Sequence, residues 1–404
     1  MKKITLLIFL LHVLLTGFAQ NKLMISGEIK DETGQPLPGA GILLGDYRLG
    51  TVADNAGRFQ LRVGPGNYNV LVQMIGYSTV MANVIVEDKS VVVNIVLKES
   101  IGQLKEVVIR PDRRTSKWIT TFTESFVGIT PNARKCKIIN PQVLRFEYND
   151  DRKILTATSD DFLVIENKAL GYRIKYLLKY FQKDEATGLV FFYGFPTFED
   201  LKGTPAQIRD YAAKRAQAYK GSPEHFFSAL YKNALQSEGF TVKNLVKKKN
   251  PEYVAPPAVD ENIERASKKI ADDKGRYFSD VLTILENKKR QTDSIEVISR
   301  GEFRITELLQ QKTENLKSIR FDGALYVVYT KEGESNSYAT SGYSIARPEE
   351  YNRYQVSVVN HANRELSFYG DGRIFDPASI VVEGYMAYER IADMVPRDFL
   401  VTDY

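Results

Sequence analysis

The sequence predicts a multidomain, β-rich chain in which an N-terminal antiparallel β-sandwich is followed by an α+β region. Three observations lead there. Residues 24–98 repeat one unit: a short strand of alternating apolar and polar residues, then a turn built from Gly, Pro, Asp or Asn. Residues 118–404 instead interleave strand-like alternation with stretches of helical spacing. The chain has 404 residues and one cysteine, so its two or three cores must form without an intramolecular disulfide.

Residues 1–19 read as a secretory signal. Lys2 and Lys3 make a basic start, residues 4–15 are apolar apart from Thr5 and His12, and Gly17 and Ala19 place small residues ahead of cleavage before Gln20. A membrane-spanning helix needs roughly 20 apolar residues, so no transmembrane segment is expected in the mature chain. Export to the periplasm, outer membrane or cell surface is the expected route. Charge is balanced, 55 Lys and Arg against 50 Asp and Glu for a net +5, and no nucleic-acid partner is expected. The basic runs at 110–117 and 247–249 read as solvated linkers. Cys136, flanked by Lys135 and Lys137 and close to Ile138 and Ile139, reads as a packed apolar residue.

Residues 20–99 form the expected sandwich. Asp31-Glu32-Thr33-Gly34 closes the first strand, and Pro36-Leu37-Pro38-Gly39-Ala40 leads into Ile42-Leu43-Leu44. Asp54-Asn55-Ala56-Gly57 turns the chain into a strand at 59–63, and Gly64-Pro65-Gly66-Asn67 reverses it again. Tyr68, Val70, Val72 and Met74 then share one face, as do Val91, Val93, Ile95 and Leu97. Asp54 and Asn55 are expected to bond their own turn rather than a cation, because Ca²⁺ asks for six to eight oxygens. Gly76 is expected at a backbone position with unusual dihedrals, followed by Tyr77 as a packing aromatic.

Taken together, Ile25-Ser26-Gly27-Glu28-Ile29, Gly34 to Ala40, Gly50-Thr51, Asp54 to Phe59, Gly66-Asn67-Tyr68 and Ile75-Gly76-Tyr77 resemble the carboxypeptidase-regulatory-like domain. That resemblance implies a prealbumin-like, seven-stranded sandwich, and it assigns no catalytic residue. Residues 101–109 resemble the segment that follows this sandwich in outer-membrane TonB-dependent receptors. The 295 residues beyond contain amphipathic helices rather than repeated barrel strands, so a receptor is not expected. Residues 100–117 are read as one extra strand and a charged linker.

Residues 118–250 are expected to be an α+β region. Trp118, Phe122 and Phe126 recur on one helical face, which places Trp118 in a core rather than against a sugar. Residues 143–148, 154–158 and 162–166 read as strands, and 173–181 with 189–195 as a long hairpin. Helices follow at 205–220 and 222–237, the second with Ser222 as N-cap and Pro223 at N1. Residues 247–259, with Pro251, Pro256 and Pro257, suggest an exposed connection, its proline-rich part at 251–259. The segment 260–404 reads as charged helices and then strands at 323–330, 337–345, 354–359, 366–369 and 381–385, with a hairpin turn at Gly370-Asp371-Gly372 and an amphipathic end at 386–395. Residues 132–141, 219–226 and 381–394 resemble envelope proteins that pair the same sandwich with an α+β region, a likeness that implies no activity.

One arrangement tempts a catalytic story: Ser222 and His225 stand three residues apart. A serine nucleophile also needs an oriented base and an oxyanion site, and no G-x-S-x-G elbow is present, so the pair is expected to cap a helix. The mature chain keeps only His225 and His361. Neither sits in the H-x-x-E spacing of zinc carboxypeptidases, so no metal or cofactor is expected. Glu199, Asp200, Glu349, Glu350 and Glu383 are the acids a glycosidase-type pair could draw on. The tyrosines at 326, 329, 338, 343, 351, 354, 369, 385 and 388 could face a glycan, but strand cores use tyrosine equally well. The expectation is an exported, non-enzymatic binding or scaffolding protein of a bacterial envelope, whose partner is an envelope protein or polysaccharide. The alternatives are a carbohydrate-binding accessory protein and a hydrolase with a carboxylate site.

Overall fold

A computed structural model describes residues 23–251, except 101–112, residues 293–299 and 303–399 with small gaps, and isolated positions between. The signal at 1–19, the extra strand at 101–109, the proline-rich stretch from 254 and the charged helices before 293 lie outside the described residues. The described chain divides into two compact units, one of residues up to 220 together with 389 onward, the other of residues 221–388.

The first unit opens with the sandwich. Strand β1 (Leu23–Asp31) pairs with β4 (Arg58–Val63), β7 (Val91–Val92) and β8 (Ile95–Leu97). The second sheet has the order β3 (Gly50–Val52), β2 (Gly41–Leu44), β5 (Gly66–Gln73), β6 (Val80–Val86). Between them Ile25, Ile29, Ile42, Phe59, Leu61, Tyr68, Val70, Val72, Ile95 and Leu97 form the core. The alternation that the sequence shows is therefore the pleat facing this core.

Two details differ from the antiparallel expectation. Strands β7 and β8 run parallel to β1. They are also halves of the one strand expected at 91–97, broken where Val93 N–H donates to Ser26 O and Asn94 Oδ1 accepts from Glu28 N–H. Gly27 explains the break: a Cβ there would lie 1.8 Å from the Val93 carbonyl oxygen, so only glycine lets the chain pass. Gly76 has φ +86°, the left-handed conformation expected of it.

Helix α1 (Arg113–Phe126) then covers a six-stranded antiparallel sheet of β9 (Cys136–Ile138), β10 (Leu144–Asn149), β11 (Ile154–Ser159), β12 (Leu163–Asn167), β13 (Tyr172–Asp184) and β14 (Val190–Asp200). Phe122 and Phe126 are fully buried, and Trp118 stacks on Tyr148 at 6.0 Å, as the helical face required. The long β13–β14 hairpin pairs throughout, with a bulge between Leu178 and Tyr180. Helix α2 (Pro205–Tyr219) starts with a capping box from Thr204 and Gln207. Sandwich and sheet share a small apolar seam of Leu71, Phe162, Leu177 and Phe195. This is why Leu71 is buried although it points away from the sandwich core.

The second unit holds helices α3 (Pro223–Tyr231) and α4 (Leu235–Glu238), a five-stranded sheet and a three-stranded one. The larger sheet runs β16 (Ser294–Ile298), β15 (Phe240–Lys249), β19 (Ala324–Tyr329), β20 (Gln355–His361), β22 (Ile380–Gly384); the smaller runs β17 (Leu309–Thr313), β18 (Leu316–Arg320), β21 (Glu365–Tyr369). A short helix α5 (Tyr385–Tyr388) ends the unit.

Three expectations are corrected here. The single helix at 222–237 is broken at Asn233, whose φ of 54° ends α3 and separates α4. Lys247, Lys248 and Lys249 are not a linker; they pair with Glu296, Ile295 and Ser294 at the edge of the sheet. No strand forms at 337–345, because Ser341 satisfies the local backbone itself: its Oγ donates to Tyr338 O and accepts from Tyr343 N–H.

Candidate functional site

The Ser222–His225 pair sits at the start of α3. Ser222 Oγ accepts the His225 main-chain N–H at 3.2 Å, which fixes the first helical turn. The imidazole Nδ1 accepts the Gly221 N–H at 3.1 Å, and Nε2 faces Glu238 Oε2 at 3.2 Å. An Nδ1 that accepts a main-chain N–H carries no proton, so the ring proton sits on Nε2 and is donated to Glu238. The ring lies edge-on to Phe240 and Tyr329, at 4.9 and 5.6 Å. Each nitrogen thus joins α3 to its surroundings, and the Ser222 hydroxyl meets the backbone of residue 225, not its ring.

His361 stands at the end of β20, its Nε2 against Phe321 O at 2.9 Å and its Nδ1 accepting from Arg364 N–H at 3.0 Å. Beside it, Arg320, Phe321, Asp322, Arg364 and Glu365 line a hollow of about 490 Å³. Glu365 is held by Lys312 and Arg320 at 2.8 and 2.9 Å, and these cations, Lys312 first, pull its carboxyl down to about 2. Asp322 and Arg364 make no ion pair among the described residues, so the hollow presents a guanidinium and a carboxylate to solvent. Sequence reading missed this place, because its residues come from two turns more than forty positions apart with no local motif.

The other candidates are dispersed. Asp200 binds Arg215 at 2.8 Å and Arg48 at 3.6 Å, and Glu199 binds Lys175. Glu383 accepts from Asn360 on the neighbouring strand. Glu349 and Glu350 lie on a 3₁₀ turn. Asp54 Oδ1 accepts the N–H groups of Ala56 and Arg58, the self-bonded turn that was expected. Of the nine C-terminal tyrosines, 326, 329, 338, 369, 385 and 388 are buried, which leaves them little ring face for a sugar.

One half-buried and one buried polar group stand out in the first unit. The Cys136 thiol donates to Asn132 O at 3.5 Å, and burial pushes it up to about 12. Nearby, the Asp393 carboxylate accepts from Thr130 Oγ1 and Asn132 Nδ2, both at 2.8 Å, and burial pushes it up to about 6. Among the described residues no cation offsets that burial. Asp393 belongs to the returning tail, which Asn167 also holds through Ala392 O.

The CarboxypepD_reg-like domain family matches residues 25–109. TonB-dependent receptor SusC of Bacteroides thetaiotaomicron is 32% identical over 140 residues, covering 31% of this chain and 14% of that receptor. TonB-dependent receptor P39 of Formosa agariphila is 32% identical over 107 residues, covering 26% of this chain and 10% of that receptor. The chain therefore spans only a small part of either relative's length. Among solved structures, a DUF3823 family protein from Bacteroides ovatus aligns over 45% of this chain and 82% of its own, with 8% identity and a TM-score of 0.17, a likeness too slight to bear on function. Among the described residues no helix is long and apolar enough to cross a membrane. Motif order and the sandwich topology of residues 25–97 agree with the family match, by which residues 25–109 are a CarboxypepD_reg-like domain.

Proposed function

We propose that the chain is an exported, envelope-associated protein that works by contact rather than by turnover, its sandwich serving as a docking or stabilising module. The observation that carries this reading is the commitment of Ser222 and His225: the hydroxyl caps α3 and both imidazole nitrogens hold neighbouring groups. A triad would need the hydroxyl on the ring and an oxyanion site beside it. Sequence likeness of the sandwich to TonB-dependent receptors supports an envelope setting. Crosslinking in intact cells followed by identification of the bound protein tests it. A defined envelope partner is expected. Hydrolase activity of the purified chain that Ser222→Ala or His225→Ala abolishes would overturn it.

A second reading, glycan binding, is favoured by the hollow at Asp322 and Arg364, since paired planar polar groups suit vicinal hydroxyls. A glycan panel tests it, with binding lost in Arg364→Ala as the expected result. No binding above background removes it.

A further inference from the structure

The tail at 389–399 belongs to the first unit, and its anchors there are explicit. Ala392 N–H donates to Val127 O, Asn167 donates to Ala392 O, and Asp393 accepts from Thr130 and Asn132. Phe399 is buried, its ring 6.2 Å from that of Tyr219 on α2. All of these partners lie outside the sandwich. Arg397 and Asp398, between the anchors, reach the sandwich instead.

They meet the loop between β2 and β3. Arg397 N–H donates to Asp46 O at 2.9 Å, and its guanidinium pairs with Asp46 Oδ2 at 3.1 Å. Arg48 pairs with Asp398 at 3.0 Å, and the Arg48 N–H donates to the same carboxylate at 3.1 Å. The charges match in order, acid then base on the loop against base then acid on the tail. On its other side the loop is bonded to β14: Asp46 N–H donates to Pro196 O at 2.6 Å, and Phe198 N–H donates to Tyr47 O at 3.1 Å. Asp46 holds a φ of 70°, a conformation that a residue with a side chain keeps only where its surroundings impose it. Apolar contact between sandwich and sheet is slight by comparison. Leu71, Phe162, Leu177 and Phe195 are buried in it, with Leu43 and Met81 half-buried beside them. Modules joined by so small an apolar contact move against each other unless something fastens them.

From this geometry we infer that the tail is a latch: Arg397 and Asp398 hold the sandwich against the six-stranded sheet, and with the latch undone the sandwich moves as a separate body. Undoing it bares Leu43, Leu71 and Met81 on the sandwich and Phe162, Leu177 and Phe195 on the sheet. The latch can open because its ion pairs are not deeply buried. The side chains of Arg48, Asp46 and Asp398 are 24, 28 and 36% exposed, so water and salt compete for them. The anchors at Ala392, Asp393 and Phe399 bond only the body of the first unit outside the sandwich. Opening therefore breaks the clamp and leaves the tail seated.

Pulsed electron resonance on the full chain tests this, with nitroxides attached through Ile85→Cys on the sandwich and Leu189→Cys on the sheet, both exposed positions, in a Cys136→Ala background. One narrow distance distribution is expected. Arg397→Ala combined with Asp398→Ala, or Arg48→Ala alone, should broaden it by about twofold or more. Glu199→Ala removes an ion pair with Lys175 on the same sheet and should leave the distribution narrow. A narrow distribution in the latch variants, or a broad one in the parent, would overturn the proposal. Faster hydrogen exchange at Val70 and Val72 in the latch variants would overturn it too, because the tail would then hold the sandwich's fold rather than its position.

Discussion

The buried Asp393 carboxylate gives the sharpest stability prediction. It is 8% exposed, accepts two side-chain hydrogen bonds and faces no cation among the described residues, so folding moves it from an ordinary value of 3.8 to about 6. The folded state therefore holds this proton more tightly than the unfolded chain. Below about pH 4 both states are protonated and the group costs nothing. Between about pH 4 and 6 the unfolded chain releases its proton first and stability falls. Above about pH 6 the cost is constant, about 3 kcal/mol from the difference of the two values. Asp393→Asn removes the charge but keeps the shape, and the Thr130 hydroxyl can rotate to accept from the new amide. The substitution should leave stability near pH 4 almost unchanged and raise it at pH 7 by about 1–3 kcal/mol, or several degrees in melting temperature. Urea unfolding of both proteins from pH 4 to 8 provides the difference curve, in which all other titrating groups cancel. A variant less stable than the parent at pH 7, or a flat difference curve, would refute the reasoning.

Gly27→Ala should cost about 3 kcal/mol by chemical denaturation, because its Cβ would meet the Val93 carbonyl oxygen at 1.8 Å. Arg215 is buried, donates to Leu170 O, Gly171 O and Asp200, and stacks 3.8 Å above the Tyr172 ring. Arg215→Ala should lose about 3 kcal/mol, and Arg215→Lys should recover little of it, since an ammonium cannot span the same three acceptors. Ser222→Ala should cost about 1 kcal/mol in the second unit, read from local hydrogen exchange of α3, the loss of a cap and nothing more.

The sandwich was legible because most of its strands have one wet and one dry face, so period-2 alternation writes the fold into the sequence. Helix α1 was legible for the matching reason, with Trp118, Phe122 and Phe126 on one side. Strand β15 was not: Lys247, Lys248 and Lys249 sit near a sheet edge, where pairing is satisfied by backbone and the side chains stay wet, so charge concealed a strand. The segment at 337–345 erred the opposite way, its tyrosines suggesting a strand while its serines bonded the local backbone. Ser222 and His225 were readable as a cap because capping is local. Asp393 and the hollow at Asp322 and Arg364 were not, since each depends on segments brought together from distant parts of the chain.

If this chain acts by holding something, its exposed faces meet a partner in the cell. Photo-crosslinking in living cells, with the probe introduced on the exposed faces of both units, measures that directly. Discrete adducts with an envelope component are predicted. Recovery of the uncrosslinked monomer from every probe position would contradict it.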